Sequence, residues 1–196
     1  MDKHSLITFF NQMAGEWDQR YTTYPQERLE TLISLCGMPQ GARILDAGCG
    51  TGVLFQPLLA HKPSHLLGVD FSAQMLAQAR KKIVDPCIEL CCEDIMEISG
   101  QEFDYAILCN SFQFFENRGS LIRQMHHLLV SEGRLMICCP QSRVSVNELC
   151  LTNTTQLFMP LPTAMTLAKT LTPYFDVDLV LDTSNFYAVS GIRRFV

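Results

Sequence analysis

Three glycines, Gly48, Gly50 and Gly52, stand in the segment RILDAGCGTGVLF, directly after a short apolar run and before a predicted helix. A strand-to-helix turn this rich in glycine lets the backbone approach a ligand closely. Valine follows the third glycine, whereas a dinucleotide-binding turn needs a small residue there and a P-loop needs lysine. Asp46 at the entrance of the turn would repel a phosphate, so the pattern favours a ligand without phosphate at this point.

S-adenosylmethionine has the chemistry that this turn favours, because it combines an ammonium, a sulfonium and a nucleoside without phosphate. Asp70 ends the apolar run HLLGVD, twenty positions after Gly50, where an acid can accept hydrogen bonds from both ribose hydroxyls. Asp94, in CCEDI after the third predicted strand, is placed to accept from the adenine amino group. Three side chains offer apolar faces to the adenine ring: Phe71, Met75 and Ile95.

The segment LCNSFQFF ends the fourth predicted strand and places Cys109 and Asn110 where a methyl donor and a methyl acceptor would meet. Aromatic and apolar side chains predict a site for a small, largely apolar acceptor, unless they belong to the core; they are Trp17, Tyr21, Phe112, Phe114, Phe115, Met159 and Leu161. Arg143 could clamp an acidic acceptor, although an exposed arginine is the default. No residue stands out as a general base, and a thiolate, carbanion or amine acceptor needs little such help.

Composition restricts the classes of partner. The chain has 196 residues, a formal net charge of −5 and no block of lysine or arginine, so we predict no nucleic-acid partner and no anionic membrane surface. The N-terminal apolar run is too short for a signal peptide, and nothing approaches a membrane span. The nine cysteines are odd in number and mostly lie in apolar runs. Reduced thiols in the cytoplasm and no metal site are therefore expected.

Apolar runs alternate with helical patterns, which is typical of a doubly wound α/β sheet. The predicted strands are 43–47, 65–70, 87–91, 103–109, 133–139, 175–181 and 186–192. The predicted helices are 53–60, 73–84, 120–129 and 163–172, the third with His126 and His127 on its solvated flank. Because only DTSN separates the last two strands, they must form an antiparallel hairpin. We therefore predict a mostly parallel seven-stranded sheet in a single domain, residues 1–196.

The N-terminal segment, residues 1–25, has apolar residues at helical spacing followed by Trp17, Tyr21 and Tyr24. It could simply pack on the edge of the sheet. Alternatively it is a helical lid over the crevice at the carboxyl ends of the strands, where it would exclude water. The sequence leaves both roles open, since one helix can perform both.

Four motifs occur in a characteristic order: ILDAGCGTG, GVDFSAQML, CCEDI and FDYAILCNSFQFF. They resemble the successive motifs of class I S-adenosylmethionine-dependent methyltransferases, over roughly residues 6–139. The opening FFNQMAGEWDQRY is similar to the small methyltransferases grouped with ubiquinone and menaquinone biosynthesis enzymes. Where the family commonly has a Pro-Gly-Gly turn before the fifth strand, this chain has SEG, which leaves the cofactor site untouched.

The resemblance implies a Rossmann-like fold, S-adenosylmethionine as cofactor and in-line methyl transfer to an acceptor placed behind the methyl group. It implies that Asp46 meets the methionine ammonium through water or backbone, and that the three glycines leave room for the methionine part. Asp70 would hold the ribose. The full predicted cofactor-binding set is Asp46, Gly48, Cys49, Gly50, Gly52, Asp70, Phe71, Met75, Asp94, Ile95 and Asn110.

Two other classes of protein stay open. One is a regulatory or partner subunit that binds S-adenosylmethionine without turnover. The other is a nicotinamide-dependent oxidoreductase, which Val53 and Asp46 disfavour. Taken singly, the acids could be helix caps or surface residues, but their joint order at four strand ends favours the methyltransferase.

Overall fold

The computed structural model describes residues 3–22, 24–35, 37–82, 84–152 and 158–195. Seven strands form one sheet in the order β3-β2-β1-β4-β5-β7-β6. The strands are β1 Arg43–Ala47, β2 His65–Val69, β3 Ile88–Cys91, β4 Phe103–Cys109, β5 Leu129–Cys139, β6 Phe175–Asp182 and β7 Tyr187–Arg193.

Strands β1 to β5 pair in parallel, whereas β7 lies antiparallel between β5 and β6. The predicted mostly parallel, Rossmann-like seven-stranded sheet with a C-terminal antiparallel hairpin is therefore confirmed. The chain order changes direction between β1 and β4, which are neighbours in the sheet. In a doubly wound sheet such a switch point opens a crevice at the carboxyl ends of the strands.

Helices cover both faces of the sheet. Along the described ranges they are α1 Lys3–Met13, α2 Trp17–Tyr21, α3 Gln26–Ser34, α4 Phe55–Leu59, α5 Ala73–Lys82, α6 Arg118–Leu128, α7 Arg143–Thr152 and α8 Ala164–Leu171, with a 3₁₀ turn at Phe112–Phe114. The sequence pattern predicts α4, α5, α6 and α8 with ends that differ by a few residues. It does not predict α3 or α7. In α7 the buried residues Val146 and Cys150 stand among the exposed Val144 and Leu149, so its apolar face is poorly marked.

Each face of the sheet has its own apolar core, because successive side chains of a strand point to opposite faces. In β1, Leu45 and Ala47 belong to the cluster that α6 and α8 cover. Ile44 belongs to the cluster on the other face, which α3 and α4 cover. With both faces buried, the central strands read as continuous apolar runs, and this explains why their positions are readable from the sequence.

The N-terminal helices are tied to the carboxyl end of the sheet by polar contacts. Asn11 Oδ1 in α1 accepts from Ser72 Oγ at 2.7 Å. In α2, Asp18 accepts from Thr51 Oγ1 at 2.6 Å and pairs with Lys82 Nζ at 2.5 Å. Thr51 belongs to the glycine turn, so α2 is joined directly to the predicted ligand site.

The prediction for His126 is wrong. His127 is exposed, but His126 is only 6% exposed and its Nε2 lies 3.0 Å from Arg194 O. Its ring packs against Tyr174 and Phe175. Burial lowers the pKa of His126 below its usual value. The helical pattern could not show that the C-terminal strands would cover this flank of α6.

Three further findings concern the described part of the chain. Its helices include none that is both long and apolar enough to cross a membrane. The eight cysteines that it contains are free thiols. No group of three or more metal-ligating side chains comes together within it.

Candidate functional site

A cavity of about 430 Å³ lies at the carboxyl ends of β1, β2 and β4, against the N-terminal helices. It brings together many of the predicted site residues: Trp17, Gly48, Cys49, Gly50, Asp70, Phe71, Ile95, Asn110 and Phe115. Cavity-lining residues that the sequence does not predict as site residues include Phe9, Phe10, Tyr24, Glu93, Gln113 and Phe158. Glu93, Gln113, Phe9 and Phe10 stand within the quoted motifs, but the motifs do not show which of their residues face a ligand, because only the tertiary fold brings α1, the 3₁₀ turn and residue 158 together.

The three glycines of the turn have positive φ angles, 76° at Gly48, 54° at Gly50 and 75° at Gly52, which other residues adopt at a cost. A Cβ at Gly48 would lie 2.7 Å from Ser111 Cβ, and one at Gly52 would lie 2.6 Å from the Phe55 ring. A Cβ at Gly50 would meet no atom within 4 Å. Close packing therefore requires Gly48 and Gly52, whereas Gly50 is the glycine that leaves open space for a ligand.

Four N–H groups of this turn already donate to acceptors within the protein. Gly48 N and Cys49 N both donate to Val69 O, at 2.8 and 3.0 Å. Gly52 N donates to Cys49 O at 2.9 Å. Gly50 N donates to Asp70 Oδ2 at 2.9 Å. A phosphate-binding turn presents free N–H groups, so this arrangement supports a ligand that has no phosphate here.

Asp70 is held in a fixed orientation at the end of β2. Its Oδ2 accepts from Gly50 N, and its Oδ1 accepts from Ser72 N at 2.8 Å. Each carboxylate oxygen has lone pairs to spare, so both can accept a further hydrogen bond from a ligand. Burial raises the pKa of Asp70 to about 6, although the bonds from Ser72 and Gly50 act in the opposite direction.

Asp46 lies in β1 beneath the turn and does not line the cavity. It is 1% exposed, and its Oδ2 has no hydrogen-bond partner among the described residues. Burial, together with the charge of Asp70, raises the pKa of Asp46 to about 8. A buried carboxyl in this state would be stabilised as the anion by a cation bound nearby.

Only some of the other predicted adenine contacts line the cavity. Ile95 lines the cavity, but Asp94 does not. Asp94 Oδ2 pairs with Lys3 Nζ of α1 at 2.7 Å, and its Oδ1 accepts from Met96 N at 3.0 Å. Met75 is 1% exposed and packs under α1. The structure thus places Asp94 as an anchor of α1 beside the cavity.

Several predicted acceptor contacts lie outside the cavity lining. Phe112 belongs to the buried core, with the Arg118 guanidinium 4.8 Å above its ring. Arg143 donates from Nε to Asp182 Oδ2 at 2.8 Å and is not brought to the site. The backbone of Tyr21 ends α2, and its side chain lies outside the described part of the chain. Of the predicted acceptor contacts, Trp17, Phe114 and Phe115 line the cavity.

An aromatic cluster forms the wall of the cavity on the side of α1. The ring of Phe10 lies 5.2 Å from Trp17, 5.7 Å from Phe71 and 4.8 Å from Phe114, measured between centroids. The Phe158 ring lies 5.0 Å from Phe114. These are ordinary distances for favourable aromatic pairs. The cavity is therefore polar at the glycine turn and apolar beneath the N-terminal helices.

Comparison with known proteins gives a family match for the central part of the chain. Residues 44–133 match the methyltransferase domain family. Malonyl-[acyl-carrier protein] O-methyltransferase from Priestia megaterium is 34% identical over 141 residues, which cover 69% of this chain and 51% of that protein. The enzyme of the same name from Acetivibrio thermocellus is 30% identical over 139 residues, with 69% and 49% covered. The chain thus spans about half the length of these relatives.

Solved structures are similar to the whole fold. Magnesium protoporphyrin IX methyltransferase from Synechocystis, determined with bound S-adenosylhomocysteine, superposes with a TM-score of 0.75 at 17% identity, over 98% of this chain and 100% of that chain. An S-adenosylmethionine-dependent methyltransferase from Mesorhizobium loti gives a TM-score of 0.69 at 20% identity, over 83% and 96%. At these identities the likeness concerns the fold.

Proposed function

We propose that this chain, whose residues 44–133 match the methyltransferase domain family, is a class I S-adenosylmethionine-dependent methyltransferase that transfers a methyl group to a small, largely apolar acceptor. The observation that carries this proposal is the cavity at the switch point of the sheet. It joins a glycine turn in which the N–H groups of Gly48, Cys49, Gly50 and Gly52 are already bonded within the protein, a fixed carboxylate and a wall of aromatic rings.

The residues present fit the cofactor. Asp70 would accept hydrogen bonds from the ribose hydroxyls with the lone pairs that Gly50 N and Ser72 N leave free. The open space at Gly50 would accommodate the methionine part. The buried Oδ2 of Asp46 has no hydrogen-bond partner among the described residues, and its anion would be stabilised by the positive charge of the ligand. Phe71 and Ile95, which line the cavity, would supply apolar contacts for the adenine.

The chain would promote the reaction mainly by positioning its reactants. When bound, the cofactor supplies an electrophilic methyl group on a sulfonium. The protein would hold an acceptor in line behind that methyl group, and such orientation accounts for much of the acceleration of a bimolecular reaction. The aromatic wall would exclude water from the site.

The lining of the cavity supports a small, largely apolar acceptor. Phe9, Phe114, Phe115 and Phe158 present rings to it, and burial of an apolar ligand contributes roughly 25 cal/mol per Å². Among the described residues that line the cavity, Arg20 alone is basic. A nucleic acid would need a track of several basic side chains.

Methyl-transfer assays test this function. S-adenosylhomocysteine should raise the melting temperature of the protein, because a ligand that binds the folded state stabilises it. Phenols, quinols, thiols and amines should then be compared with RNA and histone-like peptides as acceptors. Turnover on small acceptors is expected. Turnover on the macromolecules alone would contradict the proposal, and cofactor binding without any turnover would favour a regulatory subunit.

We also propose that residues 5–25 act as a lid that closes over the bound cofactor. Trp17 is the only tryptophan of the chain and packs against Phe10, so its fluorescence reports on this segment. We expect its emission to shift, and proteolysis within the segment to slow, when S-adenosylhomocysteine binds. A Trp17→Phe variant identifies the source of the signal. Unchanged emission and unchanged proteolysis would show that the segment is a fixed wall.

A further inference from the structure

One side of the cavity is formed by α7. Val146, Leu149 and Cys150 line the cavity, and their spacing of three and four residues places them on one face of the helix. Val146 is 4% exposed and Cys150 is 9% exposed, but Leu149 is 45% exposed. A side chain that lines a cavity and is also open to solvent stands at its rim. The cavity therefore reaches the surface of the protein at Leu149.

The charged residues of the cavity lie on other elements. Within the described lining they are Arg20, Asp70 and Glu93, which belong to α2 and to the ends of β2 and β3. Arg118 donates to the carbonyl oxygens of residues 159–160 and does not line the cavity. The lining thus has a charged part, where the cofactor would lie, and a part at α7 without a charged side chain among the described residues.

Apolar side chains continue the lining from α7 into the cavity. Phe115 and Phe158 line it, and both pack against the core cluster that contains Val146 and Cys150. Burial raises the pKa of the Cys150 thiol, so this group stays neutral near pH 7. An apolar ligand group would therefore find apolar contacts from the interior of the cavity to the rim at Leu149.

On the basis of the proposed function, we infer that the methyl acceptor carries an apolar chain, which leaves the cavity over Leu149 while the reacting group lies inside beside the cofactor. Cofactor and acceptor share one cavity of about 430 Å³, and a chain that reaches solvent does not have to fit within that volume. Leu149 is the specificity-determining residue of this opening, because it is the apolar side chain at the rim.

A series of para-alkylphenols tests the inference by calorimetry on the native protein loaded with S-adenosylhomocysteine. From para-cresol to para-butylphenol the affinity should rise roughly fourfold for each methylene that becomes buried. Para-octylphenol should bind at least as tightly as para-butylphenol, because its longer chain continues over the rim. A pocket that is closed at α7 would reject the octyl chain. Weaker binding of para-octylphenol than of para-butylphenol, or no binding of any member, would overturn the inference.

A substitution assigns the opening to its residue. Leu149→Glu places a charge at the rim, so para-octylphenol should bind about 15-fold more weakly, equal to the loss of two buried methylenes. Para-cresol, which does not reach the rim, should bind as before. Val144→Glu is the matched control, because Val144 lies on the same helix, is 57% exposed and does not line the cavity. It should bind both phenols like the native protein.

Three results with these variants would overturn the inference: equal effects of the two substitutions, equal losses for para-cresol and para-octylphenol, or a lower affinity of Leu149→Glu for S-adenosylhomocysteine. If S-adenosylhomocysteine fails to bind the native protein, the proposed function itself fails. Should the Leu149→Glu protein not fold, the series of para-alkylphenols on the native protein still decides.

Discussion

Replacement of Asp46 by asparagine is expected to remove most of the pH dependence of stability of the ligand-free protein between about pH 5 and 8. The pKa of Asp46 is raised by burial from 3.8 to about 8, so the folded state holds a proton that the unfolded chain releases. The contribution of Asp46 to the free energy of unfolding is then fully present below pH 4, and it is lost as pH rises toward 8. The slope for one such group is at most about 1.4 kcal/mol per pH unit.

Urea denaturation at pH 5, 6.5 and 8 measures this effect. The native protein should lose stability at each step, while Asp46→Asn should be nearly flat apart from a smaller contribution of Asp70 below its pKa of about 6. At pH 8 the variant should be the more stable protein, because no buried charge has to form. A native protein whose stability is constant or rises over this range would contradict the prediction.

Asp104→Asn is the matched control, because the pKa of Asp104 is shifted in the opposite direction from that of Asp46. The Arg43 guanidinium bonds Asp104 Oδ1 at 2.9 Å and lowers the pKa of this carboxyl. Its contribution to stability is therefore present above its unfolded pKa and is lost only as pH falls through the lower folded value. Loss of the pair should lower stability at pH 5 and pH 8 alike and leave the slope between them unchanged.

The charge of Asp46 also links pH to cofactor binding. A cationic ligand near a buried carboxyl favours the ionised form, so binding should release protons near pH 7 and tighten as pH rises to 8. Asp46→Asn should bind the cofactor more weakly at pH 8 and without this dependence. Calorimetry in two buffers of different ionisation enthalpy measures the proton release.

The fold could be read from the sequence because its central strands are buried on both faces. The ends of β1 and β4 are predicted to the residue, and the others differ by a few positions. Asp70 and Gly50 could be paired from their spacing, and the structure joins them by a hydrogen bond of 2.9 Å. Local apolar patterns and motif spacing are therefore sufficient to predict site residues that lie at the ends of strands.

Contacts between distant segments could not be read in this way. The sequence gives no indication that Asp94 forms an ion pair, but Lys3 Nζ of α1 pairs with its Oδ2. Phe112 and Phe115 look equivalent, yet the first turns into the core and the second toward the cavity, because the short 3₁₀ turn directs them differently. Gln113 stands in the quoted segment LCNSFQFF, but that segment does not show that its side chain is buried with Oε1 unpartnered among the described residues. Which side chains face a ligand is thus decided by tertiary packing.

Replacement of Asp70 by alanine is expected to lower the affinity for S-adenosylhomocysteine by about 1.5–3 kcal/mol, or roughly 10- to 150-fold, the range for hydrogen bonds to a charged group. Asp70 also orders its own loop through Gly50 N and Ser72 N. Ser72→Ala is therefore the matched control, because it disturbs the same turn and removes the contact with Asn11 but leaves the carboxylate in place. It should keep the affinity within a few-fold.

A ligand without the 2′-hydroxyl separates direct contact with the ribose from disorder of the loop. The 2′-deoxy analogue of S-adenosylhomocysteine should bind the native protein several-fold more weakly, because one hydrogen bond to Asp70 is lost. In Asp70→Ala that bond is already absent, so the deoxy analogue and the parent should bind equally, whereas in Ser72→Ala the native difference should persist. Calorimetric titrations of the three proteins with both ligands complete the cycle. If the analogue loses the same affinity in Asp70→Ala as in the native protein, Asp70 does not hold the ribose.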